Sequence, residues 1–160
     1  MPFIASPLPL DLSMRDGVRL PGQYWPVPDS PLPLVLCRTA QPLTHLEGFV
    51  REVQRLGHPV VVQSVRGRGS SRGKFRPYIQ EWEDGADTVE ALFHADLLAP
   101  RTVIPVGLGY DGQTALTLAL SAPPTHLCGL AASAPSASHF HSGLCTNGLP
   151  SGPSLYHLSR

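Results

Sequence analysis

The sequence predicts an α/β protein built on a mostly parallel sheet with helices on both faces. Two observations carry that reading. Short apolar runs alternate with amphipathic stretches of helical period, the pattern of βαβ units. The runs Leu34–Cys37 and Val60–Val62 are apolar without alternation, as in strands buried on both sides.

In chain order, residues 1–13 read as an irregular lead-in, because Pro2, Pro7 and Pro9 each remove a backbone donor. Residues 14–27 read as two short strands around the Asp16-Gly17 turn signal. Leu34–Cys37 is a buried strand. Residues 44–56 follow as a helix, with Leu46, Phe49, Val50, Val53 and Leu56 on one face. Thr44 and Glu47 have capping-box spacing, and Gly57 is a C-terminal stop.

Pro59–Val65 is rich in β-branched residues and reads as a second buried strand. Residues 66–77 form a glycine-rich loop. A helix is expected over 84–98, with Asp84 and Asp87 near its positive end. Thr102–Val106 is a strand, Gly107–Gly112 a tight turn, and 113–121 a short helix ended by Pro123-Pro124. A further strand is expected over 127–132, and 142–160 reads as a low-order tail. In such sheets sites form at the C-terminal strand ends, so the segments starting at Arg38, Arg66, Gly107 and Ser133 are where function is sought.

Composition narrows the function classes. The chain of 160 residues has 12 Lys+Arg and 12 Asp+Glu, a net charge of zero, with 42% hydrophobic residues. That balance disfavours nucleic-acid or anionic-membrane binding through net charge. No run is long and apolar enough to predict a membrane span. Cys37, Cys128 and Cys145 make neither a disulfide framework nor a zinc motif, which points to a reduced, cytoplasmic setting. Cys37 and Cys128 read as inert core residues, and Trp25 and Trp82 as core packers. The basic run Arg66, Arg68, Arg72, Lys74 and Arg76 reads as a solvated structural loop, without phosphate-loop spacing. His139 and His141 read as a surface pair. No metal or cofactor is expected.

One combination of segments is specific. Val65-Arg66-Gly67-Arg68-Gly69-Ser70-Ser71-Arg72-Gly73-Lys74-Phe75 is followed by Glu81-Trp82-Glu83-Asp84-Gly85-Ala86-Asp87-Thr88-Val89-Glu90. With Met14–Leu20, Arg38-Thr39 and Ala134–Ser138, this resembles the cocaine esterase/X-Pro dipeptidyl-peptidase group of α/β-hydrolases. The resemblance runs from about Met14 to His141, as a truncated α/β-hydrolase covering the N-terminal part of a family member. It implies ester or amide hydrolysis of a small molecule or peptide, by a serine on a G-x-S-Y-x-G elbow.

The elbow here is Gly107-Leu108-Gly109-Tyr110-Asp111-Gly112. Gly107, Tyr110 and Gly112 match it, and Gly109 stands at the serine position. By resemblance the oxyanion-hole positions are Tyr110, through its N–H, and Gln41, which replaces the tyrosine of an R-T-P-Y loop. The family's acid and histidine fall beyond the residues matched. The expectation is a catalytically silent member of a hydrolase family. The alternative is a binding or scaffold module completed by a partner chain or by self-association.

Overall fold

The computed structural model describes residues 5–98 and 102–133. Six strands form one sheet in the order β1-β2-β4-β3-β5-β6. They are β1 (Leu8–Ser13), β2 (Arg19–Trp25), β3 (Leu34–Thr39), β4 (Val60–Ser64), β5 (Val103–Leu108) and β6 (Ala131–Ser133). The helices are α1 (Glu47–Arg55), α2 (Glu81–His94) and α3 (Tyr110–Ser121). β3 pairs in parallel with β4 and β5, and β5 with β6. β1 and β2 join antiparallel at one side. The sheet is therefore mostly parallel, as the alternation of elements predicts.

Each face carries its own core. Leu36, Val61 and Val103 pack with Val89 and Leu92 of α2 and Leu118 of α3. On the other face Val35, Cys37, Val60 and Val62 pack with Val50 of α1. β3 and β4 are buried along their whole length, which explains their unbroken apolar runs.

Several expectations are corrected. Residues 8–13 are not an irregular lead-in; they form β1, with Leu12 buried and Pro9 opposite Gln23. An edge strand tolerates proline because one side of it needs no ladder bond. Residues 14–27 hold one strand, not two. The Thr44–Glu47 capping box does not form: Pro42 opens a 3₁₀ turn over Leu43–Leu46, which places Thr44 inside the turn, and α1 begins at Glu47 without a side-chain cap.

α2 starts at Glu81 rather than Asp84, and α3 at Tyr110 rather than Gln113. Buried contacts of Glu81 and the corner at Gly109 set those starts. The expected strand over 127–132 shrinks to β6, preceded by one bridge between Leu127 and Val103. Cys128 is consequently exposed, unlike buried Cys37. Trp25 packs in the core, but Trp82 is 40% exposed. His139, His141, Cys145 and the 142–160 tail lie outside the described residues.

Candidate functional site at the β5–α3 corner

The chain leaves β5 and reverses at Gly109 to open α3. Gly109 adopts φ 59°, ψ −123°, a conformation that L side chains resist. Its N–H donates to the Ser133 carbonyl at 2.7 Å, and its own carbonyl accepts from the Gln113 N–H at 3.0 Å. The corner is thus tied to β6 on one side and to the first helical turn on the other. A Cβ at Gly109 would meet no atom within 4 Å.

Its flanking glycines are different. A Cβ at Gly107 would lie 2.2 Å from the Asp111 backbone, and one at Gly112 would lie 2.5 Å from the Ser133 carbonyl oxygen. Close backbone approach requires glycine at both. Tyr110 opens α3, where a helix leaves its first N–H groups without intrahelical partners.

Asp111 is the residue that sequence reasoning missed. It sits in the first turn of α3 and is 5% exposed. Its Oδ2 accepts from the Thr39 hydroxyl at 2.7 Å and its Oδ1 from the Ala40 N–H at 3.2 Å. Burial raises its pKa above the ordinary carboxylate value, and the two hydrogen bonds oppose that rise. The Thr39 hydroxyl oxygen also accepts from the Gln41 N–H at 3.0 Å. The loop carrying Gln41 is thereby fastened to the corner. Gln41 Oε1 lies 3.4 Å from His45 Nδ1.

A cavity of about 370 Å³ opens beside this corner, on the α1 face of the sheet. Phe49, Leu46, Val106 and Cys37 form apolar walls, with Asp111 and Gln41 as polar members. Burial pushes the Cys37 thiol up to about 12, so it stays protonated and unreactive at neutral pH.

On the other face the specific motif segments meet in a buried ionic cluster. Arg66 holds Asp84 through Nε at 2.9 Å and Nη2 at 2.6 Å, and Asp16 through Nη1 at 2.7 Å. Arg38, 2% exposed, pairs with Glu81 at 3.0 Å and bonds Gln63 at 2.9 Å. The Tyr110 hydroxyl donates to Glu81 Oε1 at 2.8 Å. Burial first, then the Glu81 charge, raises the Tyr110 pKa, so its hydroxyl remains a donor.

The basic run is therefore only partly the solvated loop expected. Arg66 is buried in ion pairs, whereas Arg68, Arg72, Lys74 and Arg76 are exposed. Arg68 covers the Phe75 ring at 5.2 Å and bonds the Ala40 carbonyl. Among the described residues, no three His, Cys, Asp or Glu side chains are grouped to hold a metal, and no helix is long and apolar enough to cross a membrane.

A mostly parallel sheet whose strand runs through a glycine-flanked, positive-φ corner into a helix defines an α/β-hydrolase scaffold. Solved structures share that fold. An esterase of Pyrococcus furiosus superposes with a TM-score of 0.67 at 19% identity, over 96% of this chain and 62% of its own. An aminopeptidase from a marine sediment Thaumarchaeota archaeon gives 0.63 at 20%, over 79% and 25%. The chain belongs to the X-Pro dipeptidyl-peptidase (S15) family, which it matches over residues 16–159. A cocaine esterase of Rhodococcus sp. (strain MB1 Bresler) is 33% identical over 132 residues, covering 77% of this chain. The chain spans 22% of that relative's length.

Proposed function

We propose that this chain is a catalytically silent member of its hydrolase family. The observation that carries the reading is Gly109. In this reading it stands at the elbow position of the nucleophile, in a positive-φ conformation that an L side chain resists and with open space where a Cβ would lie, but it supplies no hydroxyl. In this reading Gly107 and Gly112 are the elbow glycines, and Tyr110 and Gln41 stand at the oxyanion-hole positions. The family relationship directs the site toward esters, amides or peptides, by kinship with a cocaine esterase.

Among the described residues, His58 contacts the Pro33 carbonyl and His126 stacks on Phe93 at 4.8 Å, while His45 contacts Gln41. A serine nucleophile needs an imidazole in hydrogen-bond reach as its base. Purified chain with p-nitrophenyl acetate is expected to show no turnover above buffer, and no labelling by a serine-reactive phosphonate. Gly109→Ser alone is not expected to restore turnover. Saturable hydrolysis abolished by the phosphonate overturns the proposal.

A second reading is a binding or scaffold module completed by a partner chain or a second copy. It is favoured by a separate observation: Leu108, at the end of β5, is 75% exposed beside the exposed residues of β6. Light scattering after gel filtration is expected to show a defined oligomer if this holds, and a clean monomer with a cooperative melt if the chain stands alone.

A further inference from the structure

A second cavity, of about 360 Å³, lies between β2 and α1 and shares no lining residue with the one beside the corner. Its volume is within the range of small-ligand sites. α1 packs through Val50 on Val35 and Cys37 of β3 and on Val60 and Val62 of β4. Gln23 and Trp25, two apart on β2 and so on one face, line the groove beside that helix. Gln54 of α1 lines it too and is 3% exposed. The Gln54 Oε1 is buried without a hydrogen-bond partner, and its Nε2 makes one long bond, to the Pro26 carbonyl at 3.4 Å. A carboxamide can accept two hydrogen bonds and donate two, so most of that capacity is unused. Buried polar groups are ordinarily satisfied, and this one borders a cavity large enough to hold a partner. The charged lining residues are Glu47 and Arg51, 3.9 Å apart and both more than half exposed. Their charges cancel, which suits a neutral occupant.

We propose that this cavity binds a small neutral aromatic lactam, paired with the Gln54 carboxamide and with its ring against Trp25. The N–H and C=O of a lactam lie side by side on one edge. That edge complements the Oε1 and Nε2 edge of a primary carboxamide: the lactam N–H donates to Oε1, and the lactam carbonyl accepts from the second Nε2 hydrogen. Trp25 supplies a flat apolar wall for the ring. Neither partner is charged, so no ion is desolvated on binding. The inference goes beyond the reading of Gly109 and stands whether or not position 109 supports hydrolysis.

Titration of the full chain with oxindole and with 1-methyloxindole, followed by calorimetry and by NMR, tests it. The methyl group removes the N–H donor and leaves the ring and the carbonyl in place. Oxindole is expected to bind about fivefold or more tighter than 1-methyloxindole, the size of one neutral hydrogen bond. Its binding is expected to shift the side-chain amide signals of Gln54 and the indole N–H signal of Trp25. Gln54→Leu removes the carboxamide and is expected to erase the preference for oxindole. Ser6→Trp, at an exposed position of the lining, is expected to block binding with an unchanged melt, and it decides the matter should Gln54→Leu fail to fold. Absence of oxindole binding, equal affinity for the two compounds, shifts that leave Gln54 and Trp25 unmoved, or binding indifferent to Ser6→Trp overturns the proposal.

Discussion

The Thr39 hydroxyl at the end of β3 donates to the Asp111 carboxylate at the start of α3, across 72 residues of sequence. This bond fastens one strand end to the elbow helix in a buried setting, where a missing donor is not replaced by water.

Thr39→Val removes the donor and keeps the shape. The expected loss is about 1.5–3 kcal/mol of unfolding free energy, the range for a hydrogen bond to a charged group. Thr39→Ser is expected to retain most of it. Urea unfolding of the three proteins measures the difference.

The ionic cluster gives a steeper contrast. Asp84, 1% exposed, takes two hydrogen bonds from Arg66, and Asp84→Asn leaves that guanidinium short of a counter-charge. Breaking a buried pair in this way is expected to cost about 3–5 kcal/mol. Asp87 pairs with Arg15, whose side chain is 59% exposed, and Asp87→Asn is expected to cost under about 1 kcal/mol. Denaturant midpoints separate the two variants.

Two carboxylates give pH dependences of opposite sign. The Arg66 hydrogen bond, followed by the Val18 N–H, holds Asp16 below its ordinary value of 3.8. Its contribution is present above that value and lost as pH falls through the lower native one. Burial raises Asp111, so its contribution is full below 3.8 and lost as pH rises through the raised native value. Asp16→Asn is expected to flatten the acid limb of a stability–pH profile. Asp111→Asn is expected to flatten the decline on the rising side. Chemical unfolding from acid to neutral pH shows both.

The corner glycines are expected to rank by what surrounds them. Gly109→Ala meets no atom and carries only the penalty of its sparsely populated positive-φ backbone, about 1–3 kcal/mol. Gly107→Ala places a methyl 2.2 Å from the Asp111 backbone and is expected to cost clearly more or to prevent folding. Thermal melts of the two variants establish the order.

The parts of the fold legible in the sequence are those set by local pattern. β3 and β4 are buried on both faces, so their residues are apolar without alternation and stand out. β1 does not stand out, because Pro7 and Pro9 read as breakers until tertiary structure places the strand at a sheet edge. α2 begins before its expected start because Glu81 is held by Arg38 and Tyr110, 43 and 29 residues away. The glycine pattern of the corner is local and was readable. Asp111 was not, since its meaning lies in Thr39, Ala40 and a cavity wall drawn from β3, α1, β5, α3 and β6. The sequence places it in the expected tight turn Gly107–Gly112, ahead of a helix starting at 113, so even the preference of acids for a helix N-terminus does not single it out.

The fork of Arg66 between Asp16 and Asp84 binds three distant stretches into mutual dependence, so that none of the three residues is free to drift alone. Selection on foldability is enough to preserve such a trio. A change at any one of the three therefore reaches the anchoring of all three stretches, whatever chemistry the corner performs.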